Sequence, residues 1–325
     1  MLNLLRSEIF RTVNAYCDRF SHREPLLQTL ARPGFALHPE GPCRAGLLTL
    51  NVYHAIQGSL SEAALKAAAA VELHMEAAYL FDDLADQELD TGAGRDAAEE
   101  LSLAIALLTC GAASAGEATY QANLRESGLE SLRQFHYDCL GSCSGQFLDA
   151  HLKKRRTVTC DEALQMTLLK SGSIGRCVTG FGARMATDDP VIVELFGEFG
   201  VNLFTYLQLA DDLRDACPKQ GPLTDLMQYK KTLPLVFFYN FMAERHPQWR
   251  DVIMHHQFLA QSCQEVRQEF AASGAEVFSA ITAETFLNRA KRNLAVLEQR
   301  LGTLQHLEQA LTSFEINPEE LFAVV

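Results

Sequence analysis

Two apolar helical stretches in this chain each end on Asp-Asp-x-x-Asp. "SEAALKAAAAVELHMEAAYLF" runs into "DDLAD", and "GEFGVNLFTYLQLA" runs into "DDLRD". Both repeat their apolar residues at three- and four-residue spacing, the period of a helix. Residues 61–81 and 191–210 are apolar on more than one face. Such helices sit in the middle of a bundle. Carboxylates at the inner ends of central helices are costly unless something offsets their charge. Positions i and i+4 of a helix share a face, with Cβ atoms about 5–6 Å apart. Asp82 and Asp86 form one such pair with Asp83 a step around, and Asp211 and Asp215 form the second with Asp212 beside them. The pattern asks for cations. Mg²⁺ is the natural choice, because it takes oxygen ligands, keeps several waters and is often shared with substrate phosphates. Two facing clusters are expected to hold several Mg²⁺ ions around one diphosphate. Solvated helix ends or N-caps explain one such cluster well, but explain poorly two that each close an apolar helix.

The helical period runs through nearly the whole chain, and no alternating run is bounded by a tight hairpin turn. Gly, Pro and Asp cluster at "RPGFALHPEGP", "DTGAGRD", "ATDDP" and "CPKQGPLTD", which marks breaks between helices. Ser61 or Ser59 is expected to N-cap the helix leading to the first cluster, with Glu62 in its first turn. The expectation is one all-α domain over residues 1–325 with about ten or more helices. A chain this long can bury a large core, or a core with a cavity in it. The formal charge of -13 argues against a nucleic-acid binder. It also means that an anionic substrate must be held locally, by metals or a few lysines. Nine cysteines without C-x-x-C pairs read as reduced thiols in a cytoplasmic protein, neither a disulfide frame nor a zinc site. No run of 18 uncharged apolar residues exists, so no membrane span is expected. The start, "MLNLLRSEIFRTVNAYCDRF", reads as a first helix and not as a signal peptide.

The paired motifs resemble those of the trans-isoprenyl diphosphate synthases, the polyprenyl synthetase family. "LKSGSIGRCVTGFGA" is similar to that family's K-T-(G/A) helix, which ends in Gly-Ala, here Gly182 and Ala183. "FTYLQLADDLRD" resembles its F-Q-x-x-D-D-x-x-D segment, and "TDLMQYKKTLPLVFF" its D-L-x-x-G-K-x-T-L-P run. "FLNRAKRNLAVLEQRL" fits the closing helix, so the likeness covers residues 25 to 302. The resemblance implies an isoprenoid-synthase helical bundle around a central cavity, usually a homodimer. It makes Asp82, Asp83 and Asp86 the first metal motif and Asp211, Asp212 and Asp215 the second, with three Mg²⁺ ions. Lys170, Gln208 and Lys230 fall on positions that hold the allylic diphosphate. The chemistry is sound. A prenyl C–O bond ionises when the leaving diphosphate is neutralised, which Mg²⁺ and lysines do. The carbocation then needs a dry cavity. Ala77 and Ala78 stand where bulky aromatics close a short pocket in the family, so a farnesyl or geranylgeranyl chain is expected. Phe81, Tyr79, Phe204 and Tyr206 are candidates for the cavity wall, where aromatic faces stabilise a cation by about 0.5–2 kcal/mol each; plain core packing is the competing role.

The basic site that the family uses for its second substrate, isopentenyl diphosphate, is depleted. Its G-G-K-R-L-R-P stretch is here "EGPCRAGL", with Cys43 at the Lys position, Gly46 at the binding Arg, and Arg44 between them. Met75 replaces a His, with His74 adjacent, and Thr91 and Gly92 replace an Arg-Arg pair, with Arg95 just beyond. Gln220 stands for a Lys, with Lys219 adjacent. The sequence therefore favours ionisation of an allylic diphosphate followed by internal capture, which makes a terpene synthase on a prenyl-synthase scaffold. The alternative is a prenyltransferase with a non-standard acceptor, or a chain-elongating synthase whose basic site uses Arg44, Arg95, Lys153 and Arg155. A non-catalytic helical partner subunit is the reading from another class; it has no use for two intact aspartate motifs.

Overall fold

The structure, a computed structural model, describes residues 1–86, 94–122, 125–217, 223–245, 263–304, 307 and 311; for residues 86, 125–127 and 263 it describes the backbone alone. Among these residues there are thirteen α-helices, one π-helical turn and no strand, as the periodicity predicts. In chain order they are α1 (Leu2–Cys17), α2 (Arg23–Leu30), α3 (Arg44–Gln57), α4 (Glu62–Asp86), α5 (Ala97–Gln121), α6 (Arg125–Leu152) and α7 (Cys160–Thr167). The π-turn (Leu168–Gly172) follows, then α8 (Ser173–Ala186), α9 (Pro190–Ala216), α10 (Thr224–Met227), α11 (Leu233–Arg245), α12 (Cys263–Ser273) and α13 (Ala275–Leu301). The chain forms two compact units. Unit 1 is Met1–His136, Cys177–Gly197 and Leu294–Val325; unit 2 is Tyr137–Arg176 and Glu198–Asn293.

Unit 1 is built on α4, which packs against α5, α3 and α1. Its alanines make this possible. Ala64, Ala67, Ala68, Ala69, Ala70 and Ala77 are at most 1% exposed, and their short side chains let three neighbours approach at once. The neighbours answer with glycines: a Cβ on Gly46 of α3 would stand 2.8 Å from the Ala68 carbonyl oxygen, and one on Gly111 of α5 would stand 2.4 Å from His74 Nδ1. From α1, Leu5, Ile9 and Val13 enter the same core at four-residue spacing. Each such buried side chain contributes about 1.5–3 kcal/mol. On α8, a Cβ at Gly182 would lie 2.6 Å from the Thr49 carbonyl oxygen, and Thr49 Oγ1 donates to the Val178 carbonyl at 2.9 Å. The Gly-Ala pair seen in the sequence is thus a packing device between α8 and α3.

Unit 2 has two apolar clusters, one around Leu209, Leu233, Val236 and Phe286 and one around Phe238, Met242 and Phe270. Close backbone approach is again glycine's contribution. A Cβ at Gly145 of α6 would lie 2.1 Å from Lys170 N in the π-turn, and one at Gly175 would lie 2.0 Å from the Gly200 carbonyl oxygen of α9. Helix starts are capped as the residues suggest. Ser61 Oγ accepts from Ala64 N at 3.1 Å. Asp96 with Glu99 and Thr159 with Glu162 form capping boxes on α5 and α7. Two helices, α5 and α9, are long and apolar enough to cross a membrane by length and composition alone, with 44% and 39% of the relevant windows buried in the fold. The expectation of no span rested on uncharged runs, whereas this measure tolerates two charges, and the core helix of a bundle meets it equally well.

Candidate active site

In unit 2 the second aspartate motif closes α9, and the π-turn faces it. A π-turn inserts one residue into a helical path and is common at functional sites. Here it carries Lys170 and Ser171. Ser171 Oγ donates to Gln208 Oε1 at 2.9 Å, and Gln208 Nε2 donates to Asp212 Oδ1 at 2.8 Å. This relay fixes the Gln208 amide and points the Asp212 carboxylate. Lys170 Nζ lies 3.7 Å from Asp149 Oδ2 of α6, which also has Lys153 Nζ at 3.9 Å. Lys230 Nζ lies 2.9 Å from Asp225 Oδ1 of α10. Burial pushes Asp212 up to about 7, against the Gln208 hydrogen bond and the Lys170 charge, while Asp225 and Asp149 push the same way as burial. Asp215 is raised by burial and then by the charges of Asp225 and Asp211. Asp211 is exposed and bound by Arg214 at 2.8 Å.

The structure thus brings together Lys170, Gln208, Asp212, Asp215 and Lys230 as the sequence expected, and adds Asp149, Ser171 and Asp225. Asp149 reaches Lys170 through tertiary packing of α6, so no spacing announces it. Asp225 lay inside the "TDL" run and went unread. Among the described residues no three His, Cys, Asp or Glu side chains converge closely enough to hold a metal by themselves. That suits an ion held by one or two carboxylates plus substrate phosphates, and the surplus of acids here fits such an ion. Phe204 is buried, and Tyr206 is partly buried against the Leu209 cluster.

In unit 1 the first motif forms the last turn of α4. Asp82 is half-buried and Asp83 exposed, while the Asp86 side chain lies outside the described residues. Ala77 is fully buried, Ala78 is half-buried, and Phe81 packs against the unit 1 core. Tyr79 is 51% exposed, which removes it from the core wall of this unit.

The depleted basic site is more than depleted. Cys43 takes a left-handed backbone (φ 42) before α3, and its thiol donates to the Ala36 carbonyl at 3.3 Å. Burial, with the charge of Glu72, pushes that thiol up to about 12, so it stays protonated. Gly46 has no room for any side chain against α4. Two buried glutamates of α4, which the sequence reading passed over as part of an apolar helix, lie beneath. Glu72 Oε2 accepts from Gly46 N at 2.6 Å, and Glu76 Oε1 accepts from Ala36 N at 2.7 Å. Glu76 Oε2 is buried with no hydrogen-bond partner among the described residues. Burial lifts Glu72 to about 7, with the Arg44 charge opposing, and lifts Glu76 to about 9 with help from Glu72. His74 does not stand in for the missing His: burial holds it neutral, down at about 4, edge-on to Phe135 at 4.8 Å. Arg155 is committed to Glu162 at 2.5 Å. Thr91, Gly92, Lys219 and Gln220 lie outside the described residues.

The comparisons with known proteins agree with the motifs. The polyprenyl synthetase family model matches residues 29–270. Geranylfarnesyl diphosphate synthase of Natronomonas pharaonis is 26% identical over 184 residues, 52% of this chain and 52% of that protein. Geranylgeranyl diphosphate synthase of Methanosarcina mazei is 26% identical over 193 residues, 55% of this chain and 58% of that protein. The chain therefore matches little more than half the length of these curated relatives. Among solved structures, a Caulobacter crescentus polyprenyl synthase complexed with calcium and isoprenyl diphosphate is 19% identical with a TM-score of 0.74, covering 98% of both chains. At that identity the likeness speaks for the fold, which is the isoprenyl-synthase bundle. With the family model spanning most of its length and both aspartate motifs ending long core helices, the chain belongs to the polyprenyl synthetase family.

Proposed function

We propose that this protein is a magnesium-dependent prenyltransferase that ionises an allylic prenyl diphosphate of the farnesyl or geranylgeranyl class. The observation that carries the reading is the relay Ser171–Gln208–Asp212 flanked by Lys170 on Asp149 and Lys230 on Asp225. A set of acids and lysines held this way is ordered before substrate arrives, so little reorganisation is left for the reaction. Asp211, Asp212 and Asp215 of unit 2 would hold Mg²⁺, as would Asp82, Asp83 and Asp86 of unit 1, and three ions are proposed in all. Such ions would supply positive charge to a departing diphosphate. Lys170 and Lys230 donate to its oxygens, and Gln208 orients Asp212. The prenyl C1–O bond breaks with its electron pair going to oxygen.

The relatives reverse the order of the two readings drawn from sequence. They are named as prenyl diphosphate synthases, which supports transfer to an acceptor over internal cyclisation. Cyclisation stays as the second reading because Cys43 and Gly46 occupy the stretch that in the family supplies the second diphosphate's basic residues, with buried Glu72 bonded to Gly46 N beneath it. Farnesyl and geranylgeranyl diphosphate, each given with Mg²⁺ alone and with isopentenyl diphosphate, separate them. A longer diphosphate formed only with the acceptor establishes transfer. A hydrocarbon or alcohol formed without it establishes cyclisation. A partner subunit without activity would release no diphosphate in either tube. We also propose a homodimer in the cytoplasm. Tyr137, Leu140 and Phe147 stand 63–75% exposed on one face of α6, and sedimentation at micromolar concentration tests it.

A further inference from the structure

Two thiols face each other where α1 packs on α5 in unit 1. Cys17 is the last residue of α1, and Cys110 lies in the middle of α5, 93 positions further along the chain. Their Sγ atoms stand 3.5 Å apart. Both are free thiols, and each is 3% exposed. Polar contacts beside them hold the helices in this register. The Tyr16 hydroxyl donates to Glu117 Oε1. Glu117 is seven residues after Cys110, two turns on along the same face of α5. Lys66 Nζ of α4 donates to Glu117 Oε2 at 2.6 Å and to Glu8 Oε1 of α1 at 3.4 Å. The two sulfurs are thus positioned by three packed helices. Burial pushes the Cys110 thiol up to about 12, and the neighbouring Cys17 pushes it the same way, so it rests protonated while α1 is docked.

We propose that Cys17 and Cys110 are a reversible disulfide site, oxidised by exchange with a low-molecular-weight disulfide. The pair lies outside the machinery of the proposed reaction, so its test stands apart from the prenyltransferase reading. Core packing of two small apolar side chains is the competing role. A disulfide holds its Sγ atoms about 2.05 Å apart, so closure asks roughly 1.5 Å of movement shared between two side chains. The place of Cys17 supplies that movement and the access, because helix ends fray. In the first step one protein thiol loses its proton to water and displaces half of the small disulfide as a thiolate, leaving a mixed disulfide. In the second step the other protein thiol loses its proton and attacks the protein sulfur of that bond. The Cys17–Cys110 bond forms and the second small thiolate leaves. The two electrons lost by the protein sulfurs reduce the small disulfide to two thiols. The closed loop encloses α2, α3 and α4. Arg6 of α1 donates to the carbonyls of Ala36, Pro39 and Gly41 at 3.2, 3.0 and 2.6 Å, so stapling α1 also fixes the segment that leads into α3.

To test this, the folded full chain is incubated with oxidised glutathione, its remaining thiols are alkylated in denaturant, and its peptides are mapped by mass spectrometry. A cross-linked pair of peptides carrying Cys17 and Cys110 is expected, and reductant added before alkylation should abolish it. Oxidation should raise the melting temperature by about 5–10 °C, because it closes a long loop in the unfolded chain, and reductant should reverse the rise. Cys17→Ala and Cys110→Ala are each expected to melt close to the wild type in reductant and to show no rise with oxidised glutathione. The wild-type peptide map decides the question even if a variant does not fold. A glutathione adduct on Cys143, or a bond between Cys139 and Cys143, with Cys17 and Cys110 both alkylated, overturns the site. So does a Cys17–Cys110 bond that forms only after unfolding in urea, because the fold then does not bring the thiols together.

Discussion

The two units use carboxylates in opposite ways. In unit 2, Asp149 and Asp225 are each paired with a lysine, and Asp212 with an amide that is itself held by Ser171. In unit 1, among the described residues, Glu72 and Glu76 accept hydrogen bonds from backbone N–H groups, and one Glu76 oxygen has no partner. Burial acts on both sets, because it always disfavours the charged form. Each set also feels a neighbouring acid that adds to burial, Asp225 at Asp212 and Glu72 at Glu76. What differs is the opposition, which is the Gln208 amide and the Lys170 charge at Asp212 and the Ala36 backbone N–H at Glu76. Unit 2 sets lysines and an amide against its acids, whereas unit 1 sets backbone N–H groups against its own.

The strongest way to break this contrast is to remove a carboxylate from each aspartate motif. Asp211→Ala and Asp82→Ala are each expected to lower diphosphate release from farnesyl diphosphate by about 10³-fold or more. An effect confined to Asp211 would show that the first motif takes no part. Next come the lysines. Lys170→Met and Lys230→Met are expected to lower kcat/KM by about 10²-fold each, read by the same release assay. A smaller effect tests how far the π-turn depends on its close contact with α6. Gly145→Ala puts a Cβ against the Lys170 backbone and should destabilise by about 1–3 kcal/mol. Gly116→Ala, with nothing within 4 Å, should stabilise by up to about 1 kcal/mol. Paired urea titrations compare them.

The smallest effect concerns protons. Glu76 is raised to about 9 and Glu72 to about 7, from an ordinary 4.5. The folded chain therefore binds more protons than the unfolded chain between those values. The stability that this provides is complete below 4.5 and is lost as pH rises through the folded values. Melting temperature should fall from about pH 5 to about pH 9, and Glu76→Gln should flatten the alkaline part of that slope. An unchanged slope in the variant would mean that Glu76 is ionised in the core after all.

Much of this was legible in the residues. The bundle followed from the period of the apolar residues, and the alanine run on α4 marked it as central. Spacing and resemblance singled out the two aspartate motifs with Lys170, Gln208 and Lys230, and the structure places Lys170, Gln208 and Lys230 around the second motif. What stayed hidden was tertiary. Asp149 and Lys170 come together only because Gly145 lets α6 touch the π-turn. Arg32 and Arg95 converge only because α2 and the start of α5 share Glu100. Glu72 and Glu76 were passed over within an apolar helix, and nothing local marks them as buried acids.

The π-turn at Leu168–Gly172 lies within a helical path that runs unbroken from Cys160 to Ala186. It is in effect a one-residue insertion that the helix absorbs without ending. Deleting one residue there would heal the path to a regular helix and turn everything on one side by about 100° relative to the other. Lys170 would swing off Asp149, and Ser171 off Gln208, with no change in composition and little in core volume. The register of Lys170 and Ser171 in this half of the molecule is therefore carried by residue count as much as by residue identity.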